Sequence, residues 1–142
     1  MDDVEKQRLA HLLRKNRRRN LTPEIVSKWR SQGVAVSVLS DERQQELVAR
    51  LRTSTGPEQE RAKDLRDVTR GFVGSASTLV IIDWEVNEEP ALLVPAAAVL
   101  RSEADLRVLY PSGFVLLKEA DAVIIDFEEH IGELRVTYRH LG

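Results

Sequence analysis

From Gly74 onward, aliphatic and β-branched residues alternate with polar ones, and turn-forming residues interrupt them at short intervals. Asn87-Glu88-Glu89-Pro90, Pro111-Ser112-Gly113 and His130-Ile131-Gly132 have hairpin length. Parallel strands need crossovers of a dozen or more residues, and these intervals leave no room for them. The second half is therefore expected to form a mainly antiparallel sheet of about five or six strands. The strands are placed at residues 78–85, 91–94, 106–110, 114–117, 122–128 and 133–140. Residues 95–100 (PAAAVL) interrupt them as a short helix, since proline suits a first turn and alanine is the best helix former.

The first half has a helical period instead. Val4, Leu9, Leu12 and Leu13 predict a helix over 3–18, with acids at its start and bases at its end, as the helix dipole favours. Asn20-Leu21 is expected to break it. Thr22-Pro23-Glu24 then supplies an N-cap, a proline for the first turn and an acid, opening a second helix that stops at Gly33. Its apolar face carries Ile25, Val26 and Trp29. The run 34–39 (VAVSVL) alternates like a strand but is short. Ser40 or Asp41 caps a helix to about Arg52, with Leu47, Val48 and Leu51 inward. Thr53-Ser54-Thr55-Gly56-Pro57 is the clearest linker signal, and Pro57 is expected to open a helix reaching Arg70. The class is α+β: a helical N-terminal segment or subdomain (1–54), then a helix plus an antiparallel sheet (55–142).

Two stretches 43 positions apart, VIIDWE (80–85) and VIIDFE (123–128), are nearly identical. Strand alternation puts Val80, Ile82 and Trp84 on one face, with Ile81, Asp83 and Glu85 on the other. The second copy divides into Val123, Ile125 and Phe127 against Ile124, Asp126 and Glu128. The simplest account is a scaffold strand with one face in the core and the other ending in water. The chemical account brings the four acids together around magnesium or manganese, near His130, as in a metal-dependent phosphodiesterase. Such sites usually add a lysine at fixed spacing. Lys118, on another predicted strand, is the only lysine in 71–142, so no metal ligand is assigned.

Charge is unevenly divided. Residues 1–70 carry 16 basic and 11 acidic side chains, a net of +5; residues 71–142 carry 5 and 12, a net of −7. Such halves either present two binding faces or attract each other. Arg14, Lys15, Arg17, Arg18 and Arg19 put five cations into six positions, a candidate nucleic-acid contact. No aromatics are interleaved for base stacking, and the bland alternative is a helix end whose arginines pair with the acidic half. Residues 21–33 superficially suggest a recognition helix, although capped helices with one apolar stripe are commonplace.

No catalytic set is complete. His11, His130 and His140 lack zinc-ligand spacing, no serine lies in a Gly-x-Ser-x-Gly elbow, and cysteine is absent. No cofactor is assigned. The composition, 42% hydrophobic and 31% charged, suits a soluble folded protein. No apolar run can span a bilayer and the charged N-terminus has no export core, so a cytoplasmic location is expected. These features predict a non-enzymatic binding or regulatory protein, of inhibitor, immunity or transcription-regulating type, in a bacterium or phage. It would act on another protein through an acidic patch of Glu85, Glu88, Glu89, Asp126, Glu128 and Glu129. Nucleic-acid binding through the basic helix is the alternative, and metal-dependent phosphodiester cleavage the second.

Overall fold

A computed structural model describes residues 2–56, 60–62, 64–84, 89–127 and 134–142. The chain forms helices α1 (Asp3–Ser31), α2 (Asp41–Arg52), α3 (Leu65–Val73), α4 (Ala96–Arg101) and α5 (Glu103–Leu109). Its strands are β1 (Ser37–Val38), β2 (Glu60–Ala62), β3 (Thr78–Asp83), β4 (Leu92–Pro95), β5 (Gly113–Leu117), β6 (Asp121–Phe127) and β7 (Leu134–His140). They join into one sheet in the order β1-β4-β3-β5-β6-β7-β2, and every pairing is antiparallel. The fold is α+β, with the helices first and the sheet second, as expected.

Four assignments change. α1 runs unbroken through Asn20-Leu21 with Pro23 inside it, so Thr22 does not begin a second helix. Proline removes the N–H that would bond the Arg19 carbonyl, a cost that tertiary anchoring can outweigh. The Thr22 hydroxyl donates to the Arg18 carbonyl at 2.6 Å and so occupies an acceptor beside the gap. With no turn at this point, the two-helix geometry of a recognition motif is not formed. The chain does stop where Gly33 adopts φ +77°, as its sequence indicates. Residues 60–62 are not helical but pair with β7, and α3 begins only after Asp64, whose Oδ1 accepts from the Arg66 N–H at 2.9 Å. Residues 106–110 belong largely to a helix. Leu106, Leu109 and Tyr110 are buried at the i, i+3, i+4 spacing, while Val108 stays in solvent. A five-residue stretch with four apolar positions fits both periods, and packing decides between them.

The fourth change concerns the sheet faces. Main-core packing involves Ile25 and Trp29 of α1 with Val68 and Phe72 of α3, Val99 of α4, Leu106 of α5 and the sheet. A smaller cluster centres on Leu47 of α2 with Ile82, Val115, Leu117 and Ala122. The sheet is therefore covered on both faces rather than wetted on one. β5, the middle strand, is buried along its whole length. Gly113 opens it at φ +125°, where an added Cβ would meet the Ile125 carbonyl oxygen at 2.1 Å, so the turn into β5 requires glycine.

A line of aromatic rings links α1 to the sheet. Trp29 lies 6.4 Å from Tyr110, Tyr110 lies 6.0 Å from Phe114, and Phe114 lies 5.8 Å from Phe127. Trp29 Nε1–H donates to the Tyr110 hydroxyl at 3.1 Å, so both polar tips are satisfied inside the core. Burial raises the pKa of Tyr110 and keeps it neutral.

Candidate interaction surfaces

Register decides what the twin hexapeptides can do. Asp83 pairs with Phe114, which pairs with Ile125, while Asp126 pairs with Gly113. Directly paired residues share a face and consecutive residues alternate, so Asp83 lies on the main-core face and Asp126 on the α2 face. The two aspartates cannot share one ion. Among the described residues, no group of three or more His, Asp or Glu side chains could hold a metal. The copies are also inverted with respect to the core. Ile81 faces the main core in the first, and Val123 and Ile125 face it in the second. Trp84, expected inside, follows the end of β3 and is exposed.

Of the six acids proposed as a patch, Glu85, Glu88, Glu128 and Glu129 lie outside the described residues. Asp126 is half-buried and sits across from Arg135 on β7. Glu89 is half-buried too, with Oε2 enclosed and without a hydrogen-bond partner. Burial, then the charge of Asp83, pushes its pKa up to about 7, with Lys28 acting in the opposite direction. Folding thus favours the protonated acid. That contribution is complete below the ordinary value of 4.5 and is lost as pH rises through about 7. Glu89→Gln should leave stability unchanged at pH 4 and raise it by about 1–2 kcal/mol at pH 8, discounted for the wetted part of the side chain. Urea titrations at both pH values measure this; an equal effect at both would contradict it.

The basic cluster is divided by its own partners. Arg14 grips Asp41, at the start of α2, with Nη1–Oδ1 at 2.5 Å and Nη2–Oδ2 at 3.1 Å. That fork, opposed by burial, holds the Asp41 carboxyl below its ordinary pKa. Arg18 donates from Nε to Gln44 Oε1 at 3.2 Å and from Nη2 to the Leu39 carbonyl. These arginines are therefore satisfied by α2 and the segment before it, within the basic half, and not by the acidic half. Lys15 and Arg19 stay exposed and, with Arg18, Thr22, Pro23 and Asp41, line an open cleft of about 390 Å³.

Gln44 is the residue that sequence reasoning missed. It is buried, its Nε2 donates to the Glu89 carbonyl at 3.0 Å, and its Oε1 accepts the Ala91 N–H at 2.9 Å as well as Arg18. One amide thus fastens α1, α2 and the approach to β4. A glutamine in the charged run DERQQE carries no local sign of such a role. Asp121 and His140, opposite each other on β6 and β7, form an exposed contact at 2.8 Å beside a groove of about 210 Å³.

Residues 2–13 are all exposed, and they include Val4, Leu9, Leu12 and Leu13. At about 100° per residue, the three leucines cover an arc of roughly 100° nearly opposite Arg14 and Arg18, the face that meets α2. The N-terminal part of α1 thus turns an apolar stripe away from the body of the protein. No helix among the described residues is long and apolar enough to cross a membrane. No protein-family model matches the chain, and neither does any curated protein.

Proposed function

We propose that the chain is a non-enzymatic binding or regulatory protein that acts by protein–protein contact, and that the exposed N-terminal part of α1 is its contact surface. The observation that carries this reading is the cluster of Leu9, Leu12 and Leu13, each 45–51% exposed, on a helix face that none of the described residues covers. Contiguous apolar residues on an otherwise charged surface mark interaction sites. The surrounding Lys6, Arg8, Lys15 and Arg19 would steer acidic partners toward the stripe. This moves the expected contact away from the acidic patch, of which only two members are described.

The test is a tagged full-length bait in native cytosol, with an untagged copy present, beside a bait carrying Leu9→Asp and Leu12→Asp. The wild type should retain a protein, another chain or its own copy, at high salt as well as low, and the variant should lose it. An empty eluate in every condition counts against the reading. Recovery of nucleic acid alone, abolished when Arg17, Arg18 and Arg19 become alanine, would favour the basic-helix alternative instead.

A further inference from the structure

The order of residues along α1 names an occupant for this surface. Asp2, Glu5, Leu9, Leu12, Asn16 and Arg19 follow one another at steps of 3, 4, 3, 4 and 3. That is the spacing by which two helices share a seam. All six are exposed. A parallel partner would stack Asp2 on Asp2 and Arg19 on Arg19, which is repulsive. An antiparallel copy sets Asp2 against Arg19, Glu5 against Asn16 and Leu9 against Leu12, then repeats these pairs in reverse. Every layer is complementary: an ion pair, a hydrogen bond, an apolar contact.

We propose that α1 pairs antiparallel with α1 of a second copy of this chain through this seam, which rests on the functional reading above. Leu13 borders the seam and gains cover with it. The face used lies away from Arg14 and Arg18, so the two folded bodies sit on the outer sides of the helix pair and do not compete for it. Asp2 and Glu5 on the same strip disfavour phosphate-rich surfaces, either nucleic acid or anionic lipid. The partnership also accounts for the helix itself, because an isolated segment of about 12 residues is marginal in water. The seam is only about 27 Å long, so the dimer should be weak and concentration-dependent.

Sedimentation equilibrium of the full chain from about 5 to about 200 µM tests this by mass action. The weight-average mass should rise from 16.1 kDa toward twice that value. With Leu9→Asp and Leu12→Asp it should remain at 16.1 kDa throughout, with the thermal midpoint of the wild type at about 5 µM, where both are monomeric. Asp2→Arg and Arg19→Asp should each weaken self-association at least tenfold, and an equimolar mixture of the two should restore it. Asp2 also caps α1, its Oδ1 accepting from the Glu5 N–H at 2.8 Å. The mixture still contains the uncapped chain, so recovery there reports charge pairing.

A wild type that is monomeric at about 200 µM overturns the proposal, as does a dimer indifferent to the leucine substitutions or a mixture that fails to recover. If the chain is monomeric yet its bait captures another protein through Leu9 and Leu12, only the self-pairing fails. If it neither pairs nor captures, both readings fail.

Discussion

Replacing Trp29 with alanine should cost about 3–5 kcal/mol, the largest single effect expected in this protein. The indole is fully buried where α1 meets the main core, and beside Ile25 it is the largest apolar side chain that α1 places there. Part of the loss is a cavity. Another part is the Tyr110 hydroxyl, which loses its hydrogen-bond partner at 3.1 Å inside the core. Domains of this size have a total stability of about 5–15 kcal/mol, so the variant should remain folded only narrowly, with a melting point lower by about 10 °C. Trp29→Phe separates the two contributions. It keeps most of the volume but not the donor, and should cost about 1–3 kcal/mol. Calorimetry of the three proteins is sufficient, and a loss below about 1 kcal/mol for Trp29→Ala would mean that α1 is not held by this residue.

Gln44→Leu, close to isosteric, should cost about 2–4 kcal/mol although it makes the site more apolar. The substitution removes the acceptor of the Ala91 N–H and the donor to the Glu89 carbonyl, and leaves Arg18 Nε with Asp41 Oδ1 at 3.9 Å. A buried donor without a partner costs its whole desolvation energy, which added hydrophobicity does not return. The damage should be local as well as global: the Ala91 amide should exchange with solvent far faster, while amides of β5 and β6 should slow or quicken only with overall stability. Urea midpoints with residue-resolved hydrogen exchange check both statements. A neutral or stabilising result would show that solvent reaches these groups when the amide is removed.

The comparison between sequence and structure divides along a physical line. β3, β5, β6 and β7 were legible because short apolar, largely β-branched runs are bounded there by turn residues. The end of α1 was legible for the same reason, since Gly33 takes the positive φ that its identity suggests. Thr22-Pro23 misleads because it is locally a start signal, and only the distant grip of Asp41 on Arg14 and of Leu39 and Gln44 on Arg18 makes a single helix preferable. Residues 106–110 mislead because five apolar-rich positions cannot distinguish period 2 from period 3.6. At the candidate surfaces, charge was legible but its use was not. Nothing in the sequence reveals that Arg14 and Arg18 are consumed internally, that Glu89 turns its carboxyl inward, or that the two aspartates of the repeated hexapeptide face opposite ways. Those facts follow from register and tertiary contact, which one-dimensional patterns do not encode.

The sheet is bounded by β1, two residues long, and β2, three residues long. An incoming extended segment would find very few rungs to bind at either end, and short borders of this kind are a recognised protection against fibril growth. A sheet closed at both margins in this way has little scope to polymerise by strand addition.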